Sequence, residues 1–105
     1  MIGTWVTVIV DRPLGSIHPK YNDVVYPVNY GYVSGIFAKD NEEQDCYILG
    51  VDYPIKTFQG KVIAIIKRHD DNEDKWVVAN TNYTIEEIRE ATFFTEQYFK
   101  IEIIK

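Results

Sequence analysis

The sequence predicts a mainly β domain: a small, closed, OB-like β-barrel of five to six strands with one C-terminal helix packed against it. Three observations carry this expectation. Short β-branched or aromatic runs recur as far as Ala79, punctuated by Gly, Pro, Asn and Asp. Only the segment after Tyr83 combines a helix-start signal with an apolar period near 3.6 residues. At 105 residues and 46% hydrophobic content, the chain suffices for a single domain, residues 1–105, with a real core.

Residues 4–10 (TWVTVIV) are β-branched with partial alternation, and Asp11-Arg12-Pro13 ends the run because proline removes a ladder donor. Residues 14–23 (LGSIHPKYND) read as a loop in which His18 is a solvated bystander. Residues 24–26 and 30–37 read as strands around Pro27. Tyr26, Tyr30 and Tyr32 fall at even spacing and so share one face, with Asn29 and Val33 on the other. Gly31, between two tyrosines, marks a bulge or a close approach to the backbone. Residues 46–51, the very apolar 61–67 (KVIAIIK) and 76–79 complete the main strands. Thr84-Ile85-Glu86-Glu87 then matches a capping box with Thr84 as N-cap, and Tyr83 with Ile88 is spaced for a hydrophobic staple. Ile88, Ala91, Phe94 or Thr95, and Tyr98 recur at helical spacing, and residues 101–104 add a short edge strand.

Composition narrows the function. The single cysteine, Cys46, has no internal disulfide partner and reads as a small core residue of a reduced, cytoplasmic protein. No apolar run approaches membrane-spanning length, and the start meets a charge too early for a signal peptide. A net charge of −5 opposes binding a nucleic-acid backbone. Trp5, Phe58, Phe93 and Phe94 suit either the core or a subunit interface, which leaves a homo-oligomer open.

The functional signal lies in residues 26–45, YPVNYGYVSGIFAKDNEEQD, and in a second acidic run, HDDNEDK. Eight of the sixteen acidic residues occupy positions 40–45 and 70–74, next to apolar runs whose ends can converge in a small barrel, the alternative being solvated hairpin turns that point apart and need no metal. Carboxylates about 4 Å apart repel by ~4 kcal/mol at an effective dielectric near 20, so a converging set calls for cations. Neither acidic run is an EF-hand loop: positions six and twelve hold Asp45 and Val51 in one frame, Lys75 and Thr81 in the other. Dinucleotide, P-loop and nucleophile-elbow motifs are absent, and an all-oxygen ligand set suits Mg²⁺, not zinc.

YPVNYGY, a following Asp-x-x-x-x-Asp turn, an apolar strand, and then Asp70 with Asp74-Lys75 before WVVA together resemble family I soluble inorganic pyrophosphatase in a shortened form, from Val6 to about Lys100. The resemblance implies Mg²⁺-dependent hydrolysis of pyrophosphate, or a similar small phosphoanhydride, on an OB-like barrel, with Mn²⁺ as a second candidate ion. It implies that Asp40, Asp45 and Asp74 surround the principal metal, that Asp45 is shared between ions, and that Asp11 and Asp70 contribute further ligands. Glu42 stands where the family has the aspartate that helps deprotonate the attacking water, while Lys20, Tyr30, Lys75 and Tyr98 correspond to groups that hold phosphate. The chain also departs from the family. Only residues 22–25 separate Tyr21 from Tyr26, so the segment bearing a phosphate-binding arginine has no counterpart, and Arg12 or Arg68 is left to replace it. Asn22 stands for a glutamate, and Tyr98-Phe99 for a Tyr-Lys pair. Two alternatives follow: a metal- and phosphate-binding relative with an altered reaction, and an OB-type module stacking single-stranded nucleic acid on its tyrosines.

Overall fold

The computed structural model describes residues 1–71 and 73–105, and the elements below are those among them. Strands β1 (Trp5–Arg12), β2 (Asn29–Phe37), β3 (Glu43–Ile48), β4 (Thr57–Arg68) and β5 (Asp74–Ala79) precede helix α1 (Ile85–Glu96) and strand β6 (Ile101–Ile104). The sheet order is β1-β2-β3-β5-β4, and β1 pairs back onto β4 to close a five-stranded barrel. All pairings are antiparallel except β3 with β5. β4 is long enough, at 12 residues, to hold β1 along Thr57 to Lys61 and β6 along Ile65 to Arg68 on the same edge.

Strand alternation sorts the apolar residues into two cores. Val6, Val8, Val33, Cys46, Ile48, Val62 and Val78 fill the barrel. Tyr47, Leu49, Ile66, Val77, Ala79 and Ile103 face outward and are covered by α1 through Ile88. Each fully buried aliphatic side chain contributes roughly 1.5–3 kcal/mol. Cys46 is buried, as its sequence context indicated, and its thiol is pushed far above the ordinary range by burial, so it is inert.

The capping box forms: Glu87 N–H donates to Thr84 Oγ1 at 3.1 Å, and Thr84 N–H to Glu87 Oε1 at 2.8 Å. Three expectations need correction. Residues 24–26 form no strand; Val25 makes an isolated bridge to Ile17, because the chain around Pro27 is held by loop contacts. Tyr98 lies beyond the helix and is half exposed, so it covers no core. The first acidic run is only partly a turn, since β3 already begins at Glu43. Trp5 and Phe93 are exposed, whereas Phe58 and Phe94 pack against the cores. No helix among the described residues is long and apolar enough to cross a membrane.

Candidate active site

Three adjacent strands present one row of side chains on the outer barrel face, beyond the part that α1 covers. Tyr30 pairs with Tyr47 and Tyr32 with Asp45 across β2 and β3, and the parallel register places Lys75 of β5 beside Asp45. Cross-strand partners share a face, so the tyrosines that looked co-facial in the sequence meet an acid and a lysine. Lys75 Nζ donates to Asp45 Oδ2 at 2.8 Å and to the Tyr30 hydroxyl at 3.0 Å, and its side chain is only 6% exposed.

Asp11 reaches this face by a bulge. Val10 pairs with Gly31 and Arg12 with Tyr30, which leaves Asp11 as the extra residue. A bulge re-aims a side chain and tightens local twist. Gly31 permits it, because a Cβ there would lie 1.9 Å from the Ile9 carbonyl oxygen. What approaches the Gly31 backbone closely is therefore the protein's own first strand.

The turn before β3 brings two more acids. Asp40 Oδ1 accepts from Glu42 N–H at 3.0 Å, and Asn41 adopts a positive φ of 64°, as Asn tolerates. Asp11, Asp40, Glu42, Glu43, Asp45 and Glu73, with Tyr32, line one cavity of about 360 Å³. Burial raises the pKa of Asp11 from its ordinary value; Arg12 opposes this and Asp45 adds to it. Among the described residues no three acids already close around a single point. All-oxygen donors on one cavity fit a hard divalent ion.

A second cavity, of about 230 Å³, adjoins the first and differs from it in carrying cations. Lys20, Arg68 and Lys75 supply these beside the carboxylates of Asp71 and Glu73, and Tyr21, Tyr26, Tyr30 and Tyr47 supply phenols. Glu73 lines both cavities and so marks their junction. Burial, and then the Asp45 charge, pushes Tyr30 well above its usual pKa, so its hydroxyl keeps its proton.

The structure thus brings together Asp11, Asp40, Glu42 and Asp45 in one cavity and Lys20, Tyr30 and Lys75 in the next. It does not bring Asp70, Asp74 or Tyr98 to either. Asp74 directly precedes Lys75 in β5 and therefore stands on the strand face of Trp76 and Val78. Asp70, at the β4–β5 connection, accepts the backbone N–H of Lys100 at 3.2 Å. Tyr98 stacks on Tyr21 at 4.9 Å outside the cavity wall. Glu73 occupies the place expected for Asp74, and its spacing of two from Lys75 was the sequence signal for it. His18 is not a bystander. Its Nδ1 accepts the backbone N–H groups of Lys20 at 3.1 Å and Tyr21 at 3.2 Å, which shapes the loop that carries Lys20. Asn29, fully buried, accepts from Leu14 N–H and Ile55 N–H and donates to the Tyr53 carbonyl, tying three segments together behind the tyrosines.

Residues 7–101 match the family model described as inorganic pyrophosphatase. None of the curated proteins matches the chain significantly. Among solved structures, the inorganic pyrophosphatase of Ehrlichia chaffeensis superposes with a TM-score of 0.75 at 15% identity, covering 100% of this chain and 87% of that one. That of Neisseria gonorrhoeae gives 0.65 at 22% identity, covering 91% and 74%. That of Thermus thermophilus gives 0.61 at 16% identity, covering 96% and 80%.

Proposed function

On the premise that this chain belongs to the inorganic pyrophosphatase family, we propose that it hydrolyses pyrophosphate to two phosphates with a divalent cation, Mg²⁺ in the first place, at the paired cavities. The observation that carries this reading is the junction itself. An acid-lined cavity opens onto a cationic, phenol-lined one, with Lys75 spanning both through Asp45 and Tyr30.

Asp11, Asp40, Asp45 and Glu73 are the residues that would hold the cation, which when bound supplies charge neutralisation and a water of lowered pKa. Glu42, which lines the acid cavity, would accept a proton from the attacking water. Lys20, Lys75 and the protonated Tyr30 hydroxyl donate to phosphate oxygens and offset the charge that gathers on them. As the water oxygen bonds to one phosphorus, the bridging P–O bond breaks and the second phosphate leaves with that oxygen. The barrel wall fixes Lys75 and Tyr30 beforehand, so these two need little reorganisation during reaction.

The test is phosphate release from pyrophosphate with and without Mg²⁺, in the natural chain and in Asp45→Asn. Metal-dependent release that falls at least a hundredfold in a folded Asp45→Asn protein is expected, since the substitution removes a charge common to metal and lysine. Release independent of Mg²⁺, or undiminished in the variant, refutes the site. No release, with Mg²⁺ still raising the melting temperature of the natural chain alone, would establish instead the metal-binding relative with an altered reaction.

A further inference from the structure

Arg68 ends the outward-facing row of β4, next to Glu73 and at the wall of the cationic cavity. Its side chain is 8% exposed, and Nε and Nη2 donate to Glu96 Oε1 and Oε2 at 2.9 and 2.6 Å. Glu96, 2% exposed at the end of α1, also accepts the Tyr47 hydroxyl at 2.6 Å. The Phe99 ring lies 3.8 Å from the guanidinium carbon. One edge of the planar group and one face are thereby committed. Among the described residues, Nη1 lies 3.7 Å from both Asp71 and Glu73, beyond hydrogen-bond distance, and those two carboxylates are themselves partly exposed.

Burying an ion pair is costly, and well-packed apolar residues generally do as well for stability. This pair stands at a cavity wall, with Nη1 on the side of Asp71 and Glu73, which line the same cavity. Arg12 is held less firmly: its Nη1 donates to the exposed Asp11 carbonyl at 3.4 Å, its charge bears on Tyr26, and it lines neither cavity itself.

Resting on the pyrophosphatase reading, we propose that Arg68 is the guanidinium anchor of the anion cavity, taking a phosphate oxygen on its Nη1 edge, with Glu96 and Phe99 as its positioning residues. The chain so replaces, from β4 and α1, the arginine its short 22–25 segment cannot carry. Lys20, Lys75 and Arg68 then approach one phosphoryl group from three elements of the fold.

The test measures the dissociation constant of inorganic phosphate by calorimetry, and KM and kcat for pyrophosphate, in Arg68→Lys. A lysine keeps the charge opposite Glu96 but cannot serve it and present a second edge. The expected result is a melting temperature near that of the natural chain, with phosphate affinity weakened and KM raised roughly ten- to a hundredfold. Arg68→Gln combined with Glu96→Gln removes both charges without stranding either, and should show the same loss. Phosphate affinity and KM unchanged in either folded variant overturn the proposal and leave the pair a scaffold contact. A natural chain that binds phosphate through Arg68 yet releases none from pyrophosphate refutes hydrolysis and keeps the anchor. One that hydrolyses while Arg68→Lys binds phosphate normally refutes the anchor alone.

Discussion

Two residues of the tyrosine-rich stretch show how closely backbone and chemistry are tied. Gly31 is required because the Ile9 carbonyl occupies the space of its missing Cβ, and that contact sustains the bulge that turns Asp11 toward Asp45. Gly31→Ala should therefore cost on the order of 3 kcal/mol, as strained backbone contacts in a packed barrel do. Thermal denaturation checks this, and a melting temperature within about 2 °C of the natural chain would contradict it. Asp11 itself stays more readily protonated in the folded state because it is desolvated beside Asp45. Asn29 is structural: the motif's asparagine was legible as a conspicuous residue, but its partners Leu14, Ile55 and Tyr53 are distant in sequence and could not be read from it.

Among the elements, β5 decides which acid shares the face of Lys75. Its register makes Lys75 share a face with Asp45, so Glu73, two residues earlier, follows Lys75 and Asp74 does not. Glu73→Gln should lower metal-dependent phosphate release more than tenfold, while Asp74→Asn leaves it within about twofold. Side-by-side turnover assays decide this, and the reverse ranking would overturn the face assignment. The loop between β1 and β2 carries a second consequence. His18 must be neutral to accept the Lys20 and Tyr21 N–H groups, and its pKa is lowered below 6.5 by burial first and then by Arg12 and Lys20. A base depressed in the folded state contributes stability that is complete above its unfolded pKa and is lost as pH falls through the folded value. The natural chain should thus show KM for pyrophosphate rising as pH falls below the ordinary histidine range. His18→Asn keeps an acceptor that does not titrate, and should flatten that rise. Coincident KM–pH profiles for the two proteins would exclude the loop role.

For the molecule as a whole, a chain of net charge −5 gathers six carboxylates around one cavity, and among the described residues only Lys75 brings a cation within hydrogen-bond distance of them. A cation that binds the folded state alone should stabilise it by about 2.7 kcal/mol at a hundred times its dissociation constant. For a domain of this size that is a rise of roughly 10 °C in Tm. Differential scanning calorimetry with MgCl₂ against NaCl of equal ionic strength measures it, and equal shifts in both salts would mean screening without a site. The sequence by itself determined the barrel with its late helix, the capping box, the two acidic runs and the YPVNYGY signature, because alternation, capping and turn chemistry are local. It also placed Asp11, Asp40, Glu42, Asp45, Lys20, Tyr30 and Lys75 among the candidates. Only the tertiary structure decided the rest. Which face β5 shows, where β1 bulges, and whether Arg68 reaches a cavity from β4 depend on strand register and on α1 placing Glu96 opposite Arg68. A one-residue change of register moves a side chain to the other face of the sheet, and nothing local in the run NEDK specifies that register.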